Sequence, residues 1–403
     1  MSSSGKVSAP ALRRRDLPGP SGLPVTASTL PTVTVGAAGA ASTIASAVFV
    51  SSVSSSAFNS AKFTCLGTIP TIGTTFPDYN GISSNDGLVN VTSQYDTNQF
   101  AVEFFTDASQ FDVNLKDTST VRVLADGAYV YGSDSAYGWK GAAAGSTYNI
   151  NVNFGSSVLR RITLEFDGVS RFYGINVGPT DSVIPGQQPD MTMVVFGDSF
   201  TEPTIKDDTA YPNHMPQHGF PWRLGQMLGI RNVVTSGSGG AGYLQTGPNS
   251  RVPFPQRSQN DIGKFKPQIC VMHAGLNDST GIGNGTYTQS QLQSAIEQTM
   301  TNVWQVSPGT FFYLSLNGST AATPNVKLMA AQAAAAAHYP SNSLYLSSLE
   351  PQKIYTGSGY VGSATPSGNC GILVGTDGTH PSMAGHKWLA YQLYSAISTS
   401  LVN

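Results

Sequence analysis

Residues 193–200 read Met-Val-Val-Phe-Gly-Asp-Ser-Phe: four apolar residues, then a glycine, an acid and a serine. An apolar run this short, closed by glycine, is a buried strand that ends in a turn. Ser199 lies two residues past Gly197, so its hydroxyl stands on that turn above the strand end. Its own backbone N–H can face a developing negative charge from the same place. Gly-Asp-Ser alone is ordinary loop composition, and Asp198 reads as a side chain that stabilises the turn rather than as a second acid. The stretch takes its meaning from three pieces that follow it in order.

The first is Thr235-Ser236-Gly237-Ser238-Gly239-Gly240-Ala241-Gly242, after an apolar strand at Asn232–Val234. A missing Cβ lets a backbone N–H come close to an oxyanion, which makes Gly240 a candidate donor. A phosphate-cradling loop fits poorly, because no Lys follows and the fingerprint spacing is absent. The second is Gly275-Leu276-Asn277-Asp278, after a buried strand at Ile269–His273. The Asn277 amide can donate to an oxyanion while staying neutral, so it leaves a nearby base unprotonated. The third is Asp377-Gly378-Thr379-His380, just before Pro381. Proline favours the start of a helix and holds the residue before it extended, so a tight segment can aim Asp377 and His380 into one cleft. His380 is then placed to take the Ser199 proton and return it to a leaving alcohol, with Asp377 holding the imidazole tautomer. Nucleophile, base, orienting acid and oxyanion donors (Ser199, Gly240, Asn277) are the inventory for acyl transfer at an ester carbonyl.

The remaining histidines compete poorly. His214 and His218 fall in a polar loop after Ser199 and are expected at a substrate mouth. His273 ends a core strand close to Asn277, and His338 and His386 lie on helices, packed or solvated. No paired-histidine spacing occurs, so neither a metal nor another cofactor is expected.

Around these pieces strands alternate with helices. Phe220–Leu228 reads as a helix, Leu292, Ile296, Met300 and Val303 mark another, and Asn325–His338 is Ala-rich. Phe311–Leu316 and Leu344–Leu346 read as strands, and Pro381–Ile397 as the last helix. This rhythm implies an α/β fold of three layers, a parallel sheet between helices, with ligands beyond the carboxyl ends of its strands. It covers residues 191–403. From 59 to 180 the period is two instead: Phe100–Phe105, Val121–Leu124, Tyr148–Phe154, Arg161–Phe166 and Phe172–Val177, with turns at Asp126-Gly127 and Asp167-Gly168. That pattern predicts an antiparallel β-sandwich, jelly-roll-like, ahead of the α/β domain. Residues 181–190, with Pro185, Gly186 and Pro189, read as a linker, and residues 1–58 as a low-complexity arm poor in large apolar groups.

At 403 residues the chain exceeds one ordinary core, which fits two domains and an arm. Charged residues make up 11%, and Gly, Ser, Thr, Asn and Gln take their place, a surface common in exported, cell-surface and virion proteins. A net charge of −2 gives no footing for nucleic acid or anionic lipid, and Arg13-Arg14-Arg15 reads as a solvated cluster. Cys65, Cys270 and Cys370 form no metal-ligand spacing; Cys270 reads as a buried small hydrophobe, and one Cys65–Cys370 bridge stays open. Residues 1–20 hold no apolar core of a signal peptide, and Ala37–Val50 is too deep, too interrupted and too short to span a bilayer. The expectation is an extracellular, cell-surface or virion-associated protein that reaches its place by a route other than ordinary secretion.

On Gly197-Asp198-Ser199, Gly240, Gly275-Leu276-Asn277-Asp278 and Asp377-Gly378-Thr379-His380, residues from about 190 onward resemble the SGNH (GDSL-type) hydrolase superfamily. The resemblance implies Ser199 as nucleophile, Gly240 and Asn277 as oxyanion donors, and Asp377 with His380 completing a triad. Phe200 stands in place of the family's leucine. Thr235 stands where the family usually has Asn, so Gly237 and Gly239 stay open beside Gly240. A hydrolase of this type behind a β-sandwich resembles polysaccharide acetylesterases, which implies an O-acetylesterase with an acetylated glycan as substrate. Tyr129, Tyr131, Tyr137 and Trp139 are candidates to stack on sugars, or else to pack in a core. A lipase or thioesterase of the same superfamily is the alternative enzyme. A phage or virion surface protein of structural or adhesive role is the alternative class, its arm engaging a virion partner or a sister subunit. Intact Ser199, Asp377 and His380 favour the enzyme.

Overall fold

The computed structural model describes residues 27–54, 57–69, 71–72, 77–78, 100–116, 120–130, 139–140, 146–166, 171–202, 218–248, 251–318 and 325–401. Among these, the residues up to Asp190 form one compact unit and those from Met191 onward another.

The first unit is an antiparallel sandwich. One sheet runs in the order Thr32–Val35, Thr147–Asn153, Gln110–Lys116, Arg171–Val177, Val48–Ser51. The other runs Ala128–Tyr129, Thr120–Ala125, Arg160–Phe166, Phe100–Thr106, Val183–Pro185, with Thr64–Leu66 and Trp139–Lys140 paired alongside. Alternate residues turn inward, as a period of two requires: Phe111, Val113 and Leu115 meet Tyr148, Ile150 and Val152, facing Phe100, Val102, Phe104, Ile162 and Leu164. Phe63 sits among them, edge-on to Phe104 at 5.6 Å and to Phe172 at 5.4 Å between ring centroids. Asp126 and Gly127 both adopt positive φ, 52° and 83°, the conformation a two-residue hairpin turn needs.

The sandwich corrects several expectations. Thr32–Val35 and Val48–Ser51, read as part of a low-complexity arm, form the two edges of one sheet. Thr-Val-Thr-Val and Val-Phe-Val-Ser carry the β-branched pattern there, hidden in the average by surrounding Ala and Ser. Val183–Pro185, read as linker, pairs with Phe104–Thr106 instead. Proline lacks an N–H, so an edge strand accommodates it. Tyr129 is buried with the Arg122 guanidinium 4.8 Å over its ring, which makes it a packing residue and not a sugar platform. Tyr131, Tyr137, the Asp167-Gly168 turn and residues 1–26 lie outside the described residues, and Trp139 is placed only as a strand partner of Val121.

The second unit carries a five-stranded parallel sheet in the order Asn232–Gly237, Thr192–Gly197, Ile269–His273, Phe311–Ser315, Ser343–Tyr345. Numbered along the chain this is 2-1-3-4-5, so the order reverses at the strand that leads to Ser199. Phe220–Leu228 packs on Met383–Ser400, while Phe254–Asp261, Gln289–Trp304 and Val326–His338 pack together, giving the three layers. Leu292, Ile296, Met300 and Val303 are buried on one face of Gln289–Trp304, whose start is fixed by a reciprocal Thr288–Gln291 cap. The last helix begins at Met383 rather than Pro381. The Ser382 hydroxyl accepts the Gly385 N–H as its cap, while Pro381 bridges to Val374. All three cysteines are free, so no Cys65–Cys370 bridge forms.

Candidate active site

Parallel strands in register end at one edge. Gly197 lies opposite Gly237 and His273, and His273 opposite Ser315. The segments that continue past these residues hold Ser199, Gly240, Asn277 and Asn317. This edge, at a point where strand order reverses, is where an open α/β sheet forms its crevice.

Ser199 and His380 come from segments 181 residues apart, yet the Ser199 hydroxyl lies 2.8 Å from His380 Nε2. On the far side of the ring, His380 Nδ1 is 2.6 Å from Asp377 Oδ2. Asp377 Oδ1 accepts the Thr379 and His380 amides, both at 2.9 Å, and Gly378 takes positive φ (71°) to close the turn. Partial burial pushes the Asp377 carboxyl up, but hydrogen bonds from the His380 side chain and from those two amides together bring it below the usual range. Asp377 therefore stays anionic at neutral pH and favours an Nδ1-protonated ring, leaving Nε2 free to accept from Ser199. The buried Phe200 ring packs 5.6 Å from the His380 ring. An aromatic in place of leucine keeps an apolar wall behind the imidazole.

Asp198 does more than hold its turn. It is buried, accepts the Phe200 amide at 3.0 Å, and takes Asn317 Nδ2 on both oxygens at 2.8 Å. Asn277 Nδ2 reaches it at 3.2 Å. Burial still dominates and pushes the Asp198 carboxyl up to about 7. Asn277 also donates to the Ala241 carbonyl at 2.9 Å, so its amide spans from the glycine-rich turn to the serine turn. Asp278, beside it, accepts three successive amides of that run, Tyr243 at 2.8 Å and Leu244 and Gln245 at 2.9 Å. A Cβ on Gly242 would lie 2.5 Å from Asp278 Oδ2, which explains the glycine there.

The other glycines sort by contact. A Cβ on Gly237 would lie 2.3 Å from the Glu202 amide nitrogen, and the Gly239 N–H donates to Glu202 Oε2. Glu202 is itself held by buried Arg251 at 3.1 Å. Gly240 has φ of 77°, and its N–H is committed to no partner among the described residues. Close packing accounts for all three glycines, since a Cβ on Gly240 would lie 2.5 Å from Pro248 Cδ, and what sets Gly240 apart from Gly239 is its uncommitted N–H.

Sequence reasoning missed Asn317, Glu202, Arg251 and Arg257. Arg257, from the Phe254–Asp261 helix, is buried, bonds Asp261 Oδ2 at 2.6 Å, donates to the Gly197 carbonyl, and lies 3.9 Å over the Phe196 ring. It braces the strand end through the Gly197 carbonyl and the Phe196 ring. A polar residue just past the fourth strand, where the first three strands place theirs, was the one signal for Asn317. His218 is fully buried and lines no mouth, because it packs against Arg223 instead; His214 lies outside the described residues. His273 bonds Ser315 Oγ at 2.8 Å, and burial, with a smaller contribution from His386, lowers it to about 3. It is a neutral core residue. His386 is buried and accepts the Phe220 amide, whereas His338 is exposed beside Glu297. Among the described residues no cluster of three or more His, Cys, Asp or Glu is arranged to hold a metal ion.

Residues 193–393 match the family described as GDSL-like Lipase/Acylhydrolase. This part of the chain belongs to the GDSL-like lipase/acylhydrolase family. No curated protein matches the chain in sequence. Solved structures extend the likeness across both units. A family two carbohydrate esterase from Cellvibrio japonicus superposes with a TM-score of 0.60 at 12% identity, over 88% of this chain and 98% of that one. An acetyl xylan esterase from the rumen bacterium Butyrivibrio proteoclasticus gives 0.58 at 12% identity, again over 88% and 98%. A salicylyl-acyltransferase from a tetracycline biosynthetic pathway gives 0.60 at 11% identity, over 88% and 97%. At these identities what is shared is the fold: a GDSL-like domain behind an antiparallel sandwich. No helix among the described residues is long and apolar enough to cross a membrane.

Proposed function

We propose that this GDSL-like protein is a serine O-acetylesterase that removes acetyl groups from a polysaccharide through an acyl-enzyme on Ser199. The observation that carries the reading is the unbroken line from Ser199 Oγ to His380 Nε2 and from His380 Nδ1 to Asp377, at 2.8 and 2.6 Å. His380 takes the serine proton as Oγ attacks the acetyl carbonyl, and Asp377 steadies the imidazolium that results. The negative charge on the carbonyl oxygen falls to the Ser199 and Gly240 amides and to Asn277 Nδ2. One Asn277 hydrogen stays on the Ala241 carbonyl; the other goes to Asp198 Oδ2, where the Nδ2···Oδ2 distance of 3.2 Å is the longer of the two, and is the one an oxyanion draws away. As the bond from the acetyl carbon to the sugar oxygen breaks, His380 gives its proton to that oxygen, which leaves as a hydroxyl, and a water repeats the sequence to release acetate.

Likeness of fold to carbohydrate esterases, and a surface low in charge and rich in small polar residues, support a glycan substrate outside the cell. The test is hydrolysis of aryl esters from acetyl to octanoyl by wild type and Ser199→Ala. Turnover that peaks at acetyl and is lost in the variant is the expected result. A peak at octanoyl supports a lipase instead, and release of phenol that accelerates with added alcohol marks an acyltransferase.

A further inference from the structure

Asn317 belongs to none of the four sequence pieces, yet it joins two of them. It follows the fourth strand and is 1% exposed. Its Nδ2 donates to Asp198 Oδ1 and Oδ2, both at 2.8 Å, and its Oδ1 accepts the Leu276 N–H at 2.9 Å. Asp198 precedes the nucleophile and Leu276 precedes Asn277, so one amide fixes the separation between the serine turn and the oxyanion turn. It also shares Asp198 Oδ2 with Asn277, at 2.8 Å against 3.2 Å.

We propose that Asn317 is a positioning residue for the esterase reaction: by saturating the Asp198 carboxylate and tethering the Leu276 amide, it holds Asn277 in place and leaves one Asn277 hydrogen disposable for the oxyanion. The proposal rests on the esterase reading above. Each atom of Asn317 has the polarity its role demands. A donor faces the carboxylate and an acceptor faces the amide, and neither aspartate nor leucine of similar size satisfies both. A carboxylate left short of donors would take the Asn277 amide more tightly, and the hydrogen meant for the transition state would be withheld.

The experiment is kinetics of acetyl ester hydrolysis by wild type, Asn317→Asp, Asn317→Ser and the exchange variant Asp198→Asn/Asn317→Asp, with melting temperatures for all four. Asn317→Asp sets two carboxylates face to face, and kcat should fall about 10²-fold, the order of losing one oxyanion donor, with KM changed less than threefold. The exchange variant again sets one amide donor against one carboxylate, with their places reversed, and at least tenfold of the loss should return. Asn317→Ser introduces no charge and should also lower kcat more than tenfold, which keeps the test open if Asn317→Asp does not fold. A kcat within threefold of wild type in Asn317→Ser overturns the proposal, as does a loss in Asn317→Asp that the exchange fails to recover. A wild type without esterase activity is a different failure: it removes the reading on which the proposal stands.

Discussion

Asp198 and Asp377 show how two aspartates, one beside Ser199 in the chain and one behind its histidine partner, come to differ. Asp377 is partly solvated and collects a histidine and two amides, so its carboxyl is held low and stays charged. Asp198 is buried, and four donor contacts do not offset the loss of water, so its carboxyl rises to about 7. A carboxyl that binds its proton more tightly when folded stabilises the fold most below its unfolded pKa and loses that contribution as pH rises through the folded value. Between pH 4 and 7, Asp198 should thus contribute a fall in stability of about 1.4 kcal/mol per pH unit. Urea titrations across that range should give a correspondingly flatter profile for Asp198→Asn. An unchanged slope would mean that Asp198 is ionised in the folded protein throughout. Ser199 and Asn277 were legible as candidates because each follows the end of an apolar strand, and Asp377 with His380 because three-residue spacing just before Pro381 can aim both side chains into one cleft. Asn317 was not, because a lone asparagine in a loop carries no spacing and its worth lies in contacts across 119 residues.

At the scale of elements, the parallel strands were legible from short apolar runs closed by glycine, and the helix at Gln289–Trp304 from its buried stripe. The ends of elements were less so. Pro381 looked like a helix start, but Ser382 supplied the cap and moved the start to Met383. The glycine-rich turn is held by residues outside it. Glu202 receives the Gly239 amide, Arg251 binds both Glu202 and the Gly239 carbonyl, and Asp278 closes the far end. Arg251→Ala would leave Glu202 buried without its cation, and removing one partner of a buried pair costs about 3–5 kcal/mol. Burial already pushes the Glu202 carboxyl up, so protonation should soften the loss at low pH. Equilibrium unfolding at pH 8 and pH 5 should show a larger deficit at pH 8. A deficit under about 1 kcal/mol at both, on the scale of exposed pairs, would show that the turn does not depend on this pair.

For the whole molecule, alternation in Phe100–Phe105 and its successors located the sandwich, but not its edges. The edge strands Thr32–Val35, Val48–Ser51 and Val183–Pro185 are short and lie in segments whose composition reads as arm or linker. Their β-branched residues suit a strand, but stretches this short stand out from the surrounding composition only once they pair with a neighbour. The sandwich core depends on its aromatic cluster, and Phe104→Ala, which opens a cavity beside Phe63 and Phe111, should destabilise that unit by about 3–5 kcal/mol in urea unfolding. A loss below about 1 kcal/mol would contradict the packing described. The central claim concerns the other unit and one oxygen atom. It is tested most directly by intact-mass and peptide-mapping spectrometry after treatment with a fluorophosphonate, on wild type and on Ser199→Ala. We expect one adduct on wild type, mapped to Ser199, and none on the variant. An adduct that persists in Ser199→Ala, or that maps to another residue, would mean that the nucleophile lies elsewhere.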